Sequence, residues 1–180
     1  MPEIEIRPAI AEDIPSLVQF DHDSVSDYVW QMDIRHSEEG EIFVNFRQVR
    51  LPRSVKVDYP RPVHALAEDW MDRSGLLVAV HQGKAVGYVS LSTNLAPFTA
   101  SVTDLVVVRR LRRQGIASAL LLAAQEWARQ RGCTRLMLEM QLKNFPAICL
   151  AKKLGFDFSG YNDRYYPNQD IALFFAKSLR

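Results

Sequence analysis

Arg112-Arg-Gln-Gly-Ile-Ala117 lies between a β-branched run ending at Val108 and a long amphipathic stretch beginning at Ile116. A turn in that place offers its backbone N–H groups as the unsatisfied first turn of a helix. With the positive end of the helix dipole behind them, those donors suit a pyrophosphate. Gly115 permits close backbone approach, and Ala117 keeps the surface small beside a ligand. Arg109, Arg110, Arg112 and Arg113 add positive potential. A glycine between a strand and a helix is common, however, and the loop alone reads at least as well as a solvated basic turn. A second polar position, Asn144, precedes Pro146 at the head of another helical pattern and can act as its N-cap.

The elements that must position these residues are clearest in the second half of the chain. Leu76–Val80 and Ala85–Leu91 flank His81-Gln-Gly-Lys84 as a hairpin, and a strand over about 100–108 feeds the Arg112–Ala117 turn. A helix is expected over 116–130, with Ile116, Leu120, Ala123 and Trp127 on one face and Gly132 closing it. Thr134–Met140 reads as the next strand, and Asn144, Pro146 and Gly155 bracket a second helix. Phe156–Ser159, a polar tyrosine-rich loop and Ile171–Ala176 complete the pattern. In the first half, Ile4–Arg7 alternates as a short strand, 12–20 is helical in spacing, and Val63–Met71 suits a short helix. Glu41–Arg50 and Ser54–Tyr59 both alternate, and read as two strands joined by a turn at Leu51-Pro52-Arg53. The acidic run containing Asp21, Asp23, Asp27, Asp33, Glu38, Glu39 and Glu41 reads first as a solvated helix face. With Tyr28 and Trp30 it would alternatively form an acidic, aromatic wall suited to a cationic amine.

Composition narrows the class. The 180 residues are 48% hydrophobic, enough for one domain spanning 1–180, with a mixed α/β pattern in which strand and helix alternate. The balance of 22 Lys+Arg against 21 Asp+Glu argues against a dedicated nucleic-acid binder. No apolar run reaches the roughly 18 residues that span a bilayer, so no membrane partner is expected. The N-terminus lacks a signal-peptide core, and two cysteines, Cys133 and Cys149, make no disulfide framework; the expected location is cytoplasmic. His22, His36, His64 and His81 are isolated, which argues against a metal site.

The Arg112-x-x-Gly115-x-Ala117 turn resembles the acetyl-CoA signature of the GNAT acetyltransferase superfamily, Gln/Arg-x-x-Gly-x-Gly/Ala. Asp104-Leu-Val-Val107 matches the apolar strand that precedes it, and Asn144-x-x-Ala-Ile-x-Leu-x-Lys-Lys-Leu-Gly-Phe156 resembles the second family block. Residues 76–160 carry the likeness, and Ile4–Ala9 with Glu12-Asp13 is similar to the family opening. The resemblance implies an α/β fold with a mixed, mostly antiparallel sheet flanked by helices and a central pair of splayed parallel strands. It places an acetyl-CoA core at about 100–160 and a variable acceptor-side segment at about 21–70.

Carried over by position, the resemblance places the pantetheine arm along Leu105, Val106 and Val107, with the Val107 N–H facing the thioester carbonyl. It places the pyrophosphate on Arg112, Arg113, Gln114, Gly115, Ile116, Ala117 and Ser118, mainly through their backbone amides, and brings Asn144 against the pantetheine. The implied reaction is direct attack of a neutral amine on acetyl-CoA in a ternary complex, without a metal or an acyl-enzyme. Asp104 occupies the position of an acidic residue that takes the amine proton or pairs with a cationic acceptor. The usual thiolate-protonating tyrosine is absent: Ala151 holds its place, and Cys149 reads as a small buried residue. Tyr161, Tyr165 and Tyr166 follow in the loop, and Tyr161 is the candidate named with Asp104 for the chemistry.

Leu138-Glu-Met-Gln141, Asn144-x-Pro-Ala147 and Gly160-Tyr-Asn-Asp163 with Tyr166 are similar to streptothricin acetyltransferases, which acetylate an amine on a basic antibiotic. The implied acceptor is a small-molecule amine, a peptide N-terminus or a lysine. The missing tyrosine keeps a non-catalytic CoA-binding or regulatory module as the alternative. The 41–59 hairpin would cover the site or pair with a second subunit, so a homodimer is among the expected assemblies.

Overall fold

A computed structural model describes residues 2–179. The chain opens with β1 (Glu5–Pro8) and α1 (Ile14–Val18), then sends out β2 (Ser24–His36) and β3 (Ile42–Val57). It continues through α2 (Ala65–Asp69), β4 (Gly75–His81), β5 (Lys84–Ala96) and β6 (Thr99–Val107). A short 3₁₀ turn at Arg109–Leu111 leads into α3 (Ile116–Gln130), β7 (Arg135–Gln141), α4 (Phe145–Lys153), β8 (Asp157–Asn162) and β9 (Ala172–Ser178). Seven strands form one sheet in the order β1-β4-β5-β6-β7-β9-β8, and β2 and β3 form a separate ribbon. Within the large sheet every pairing is antiparallel except β6 with β7.

Strand alternation sends β4 side chains to two cores. Leu77 and Ala79 join the main core with Leu120, Leu121, Ala124 and Trp127 of α3. Leu76 and Val78 face a smaller core under α1 and α2, with Leu17, Leu66 and Tyr88. Helices therefore cover both faces. The α3 helix crosses close over the sheet because Gly75 has no side chain: a Cβ there would lie 2.5 Å from the Trp127 ring. At the start of the chain Arg7 grips both Asp13 oxygens, at 2.7 and 3.0 Å, and ties β1 to α1. The guanidinium holds the Asp13 carboxyl below its ordinary range.

The 21–59 region departs from the sequence expectation. Glu41–Arg50 and Ser54–Tyr59 are not two strands around a turn; residues 42–57 run as one strand through Pro52. Its partner is the acidic stretch expected to be a helix face, which pairs from His36↔Ile42 to Ser24↔Val57. The register shifts between Ser26 and Tyr28, and this irregularity accommodates Pro52, which has no N–H to give the ladder. Tyr28, Trp30, Met32 and Ile34 alternate with period two, a strand signal that the acidic charges obscured. The ribbon is anchored by aromatic packing: Trp30 lies 5.9 Å from Phe175 and Phe46 lies 5.2 Å from Phe158 between ring centroids.

Candidate active site

The parallel ladder between β6 and β7 runs only from Thr99↔Arg135 to Val102↔Leu138, although both strands continue. Beyond that point they splay. On its other side β6 stays paired with β5, through Asp104↔Ser90, Leu105↔Val89, Val106↔Tyr88 and Val107↔Gly87. Leu105, Val106 and Val107 thus present a strand edge toward the opening, as expected for a site that pairs with an extended ligand.

The 3₁₀ turn then delivers the chain to α3. Gly115 sits at φ +91° as the N-cap, and Arg113 also holds a left-handed φ of +66°. No side chain caps this end, and the first helical bond is Ala119 N–H to the Gly115 carbonyl at 3.0 Å. The N–H groups from Gly115 to Ser118 therefore face outward as an anion cradle beside the splay. The Arg112 side chain does not face this cradle. Its guanidinium donates to the carbonyls of Val107 (2.9 Å), Asp23 (2.7 Å) and Asp21, bracing the turn against the 21–23 segment. Asn144 is the N-cap of α4, its Oδ1 accepting from the Ala147 N–H at 3.3 Å. A β-strand edge followed by a helix-start cradle fits an acyl-CoA, with phosphates on the cradle and the extended arm along β6.

The first residues past the end of the parallel ladder carry the site's charge. Asp104 is 5% exposed, a buried carboxylate and not a surface one. Its Oδ2 accepts from Arg73 Nη1 (2.9 Å) and Thr103 Oγ1 (3.0 Å), and its Oδ1 from the Tyr59 hydroxyl. Burial, and then the charge of Glu139, push its carboxyl up to about 7. The side chain of Glu139 on β7 is buried as well; it binds the Arg61 guanidinium and accepts from the Tyr165 hydroxyl at 3.1 Å. Tyr166 is buried beside it with its phenol pushed upward by desolvation and by Glu139.

Sequence reasoning missed Glu139, Arg61, Arg73 and Tyr59 as members of this cluster. A charged residue inside the apolar β7 run was the available signal for Glu139. The arginines come from the 58–73 segment, whose placement no motif revealed. Tyr161 lies on β8 rather than in a loop, and its ring packs 5.4 Å from Phe46. The hydroxyls at the carboxylates are those of Tyr59 and Tyr165. Ala151 is fully buried in the main core, while Cys149, expected to be buried, is exposed. Of the acidic 21–41 residues, Asp23 reaches the cluster through the Tyr59 N–H (2.7 Å) and also binds Lys56 (2.8 Å), while Glu38, Glu39 and Glu41 lie exposed at the ribbon tip. His22 is a satisfied histidine, bonded to the Phe20 carbonyl (2.7 Å) and the Tyr88 hydroxyl (2.9 Å). No metal-holding group of His, Cys, Asp and Glu occurs among the described residues, and no helix there is long and apolar enough to cross a membrane.

Comparison with known proteins agrees with this geometry. The model of the Acetyltransferase (GNAT) family matches residues 40–156. The chain is 31% identical over 144 residues to the L-amino acid N-acetyltransferase AaaT of Escherichia coli (strain K12), covering 73% of this chain and 86% of the relative. It is 30% identical over 102 residues to a streptothricin acetyltransferase of Streptomyces lavendulae, covering 57% of this chain and 53% of that protein. Among solved structures, a putative streptothricin acetyltransferase from Bacillus anthracis str. Ames in complex with acetyl coenzyme A superposes with a TM-score of 0.72. That match is 19% identical over 98% of this chain and 97% of the other. The chain belongs to the GNAT acetyltransferase family and is an N-acetyltransferase. Members of this family use acetyl-CoA as the acyl donor.

Proposed function

We propose that the protein transfers the acetyl group of acetyl-CoA to a primary amine of a small basic molecule, with acceptor chemistry at the Asp104–Glu139 pair. The single observation that carries this reading is the position of both carboxylates, immediately past Val102↔Leu138, where β6 and β7 part. Acetyl-CoA supplies an activated acyl thioester. The Gly115–Ser118 amides and the Leu105–Val107 edge would hold it, and the Val107 N–H would stabilise charge on the carbonyl oxygen.

Asp104, with its carboxyl near 7, takes a proton from the incoming ammonium, directly or through one water. Arg73 and Tyr59 hold that carboxylate in place. The amine then attacks as a free base, and the thiolate takes its proton from solvent. Asp69, Asp104 and Glu139 face Arg61 and Arg73, leaving the cluster one negative charge in excess when all are ionised. That excess favours a cationic acceptor over a zwitterion, whose carboxylate would find both arginines already paired. Streptothricin-type antibiotics and polyamines fit this description better than free amino acids do.

The test is free-thiol release from acetyl-CoA across streptothricin, aminoglycosides, polyamines, amino acids and short peptides. Polycationic amines should exceed zwitterionic amino acids in kcat/KM by about tenfold or more, the equivalent of about 1.4 kcal/mol. Preference for neutral or acidic amino acids would overturn the acceptor assignment. Binding of acetyl-CoA without turnover on any amine would instead support a regulatory module.

A further inference from the structure

Arg61 is placed differently from the other arginine of the cluster. Arg73 is fixed on several sides, by Asp69 (2.8 Å), Ser90 (2.8 Å) and Asp104 (2.9 Å). Arg61 instead reaches into a box that its own segment does not build. Its Nη1 donates to the Thr103 carbonyl at 3.0 Å and its Nη2 to Glu139, while Nη1 lies 3.8 Å from Asp104 Oδ1. Its Cζ stands 5.5 Å from the Tyr166 ring centroid. A buried carboxylate, a backbone carbonyl and an aromatic face are the partners that a guanidinium or an ammonium requires. The Glu139 side chain is 1% exposed and that of Arg61 is 29% exposed, so the carboxylate is buried while the guanidinium that covers it reaches solvent.

The backbone that carries Arg61 is stiff. Tyr59-Pro60-Arg61-Pro62 places both Tyr59 and Arg61 before proline, which narrows the backbone conformations open to each. Flanking bonds fix the strap: the Tyr59 N–H donates to Asp23 at 2.7 Å, and Gln141 Nε2 donates to the Asp58 carbonyl at 3.2 Å. The guanidinium can therefore leave by side-chain rotation alone, without moving the strap. Exchange of one cation for another also leaves the buried carboxylates paired, so it avoids the cost of exposing an uncompensated buried charge.

We infer that Glu139, the Thr103 carbonyl and the Tyr166 ring form a cation-binding subsite of the acceptor site, held in the free protein by the Arg61 side chain. The ligand class is an acceptor with a second cationic group, guanidinium or ammonium, which displaces Arg61 while the reacting amine faces Asp104. Arg61 is thus a specificity-determining residue: an acceptor with one charge has nothing to exchange for it. This inference rests on the reading of the Asp104–Glu139 pair as the acceptor site.

The experiment compares the wild type with Arg61→Ala, using methylguanidinium as the probe and sodium chloride at equal ionic strength as the control. Methylguanidinium should raise the melting temperature of Arg61→Ala saturably, and that of the wild type only at about tenfold higher concentration. In turnover, the KM of Arg61→Ala for a dicationic amine should fall about tenfold, as expected when an internal occupant filling the subsite about nine-tenths of the time is removed. Methylguanidinium should then compete with that amine and not with acetyl-CoA. Arg61→Lys, which keeps the charge but loses the planar fork, should lie between the two and serves if the alanine variant does not fold. The inference fails if methylguanidinium does not bind Arg61→Ala, if it binds the wild type equally, or if the KM of Arg61→Ala falls for singly charged acceptors as much as for the dicationic amine. The thermal readout needs no acetyl transfer, so a failure of the transferase reading would show in the turnover arm while probe binding still reports on the subsite.

Discussion

Asp104→Asn lowers kcat by about 10²- to 10⁴-fold, the range for loss of a positioned general base, while acetyl-CoA affinity stays within about twofold. Asparagine keeps the shape of the side chain: its oxygen can accept from Arg73 and Thr103 while its NH2 donates to the Tyr59 oxygen, but it cannot take a proton. In the wild type, kcat/KM should rise with pH through about 7 as the Asp104 carboxyl ionises, and this limb should vanish in the variant. Stability carries the same group with the opposite sign. The folded carboxyl lies above its unfolded value of about 3.9, so the native state binds the extra proton and Asp104 lowers stability as pH rises from about 4 to about 7. His22, whose ring burial pushes down, acts in the other direction below about 6.5. The difference in melting temperature between wild type and variant isolates Asp104 and should shift against the wild type across that window. Unchanged kinetics in Asp104→Asn would remove this residue from the chemistry.

Gly115→Val abolishes acetyl-CoA binding in practice, with affinity falling by about 10² or more. The position holds φ +91°, a left-handed conformation in which a β-branched residue is strained by about 1–3 kcal/mol. Relief of that strain rotates the peptide planes of Gly115 and Ile116 and turns their N–H groups away from a common anion. Two charge-assisted bonds at about 1.5–3 kcal/mol each account for the expected loss. Calorimetric titration of acetyl-CoA measures it, and circular dichroism verifies that the fold survives. Gly115→Ala, with a smaller side chain at the same φ, should fall between. Wild-type affinity in Gly115→Val would show that the α3 N-terminus is not the phosphate cradle.

The second half of the molecule was legible because each element there carries redundant local signals. Gly115, Gly132 and Gly155 all have positive φ in the structure, at the helix boundaries where the sequence placed them. α3 occupies 116–130, as its apolar spacing and closing glycine indicated. The splay of β6 and β7 was available only by resemblance, since neither strand's pattern shows where pairing ceases. The ribbon was misread because charge and period gave conflicting cues. Its acidic residues suggested a helix face, while its alternating aromatics anchor it on β8 and β9 through Trp30 and Phe46.

The acceptor site was half legible for a different reason. Asp104 sits within a recognisable strand, but its partners Arg61, Arg73 and Tyr59 come from a segment that only tertiary packing brings there. Arg112 shows the converse. Its place in the turn motif says nothing of its guanidinium, which the structure seats on three carbonyls of its own chain. A side chain's neighbours, unlike its backbone conformation, follow from residues distant in sequence.

The most direct test of the central claim is a single-turnover reaction of protein, acetyl-CoA and the best amine of the panel, followed by mass spectrometry of all three. Direct transfer between the parted strands predicts one acetylated amine for every thiol released and an enzyme whose mass never changes. Acetyl-enzyme accumulating before product, or thiol released with no acetylated amine, would contradict it.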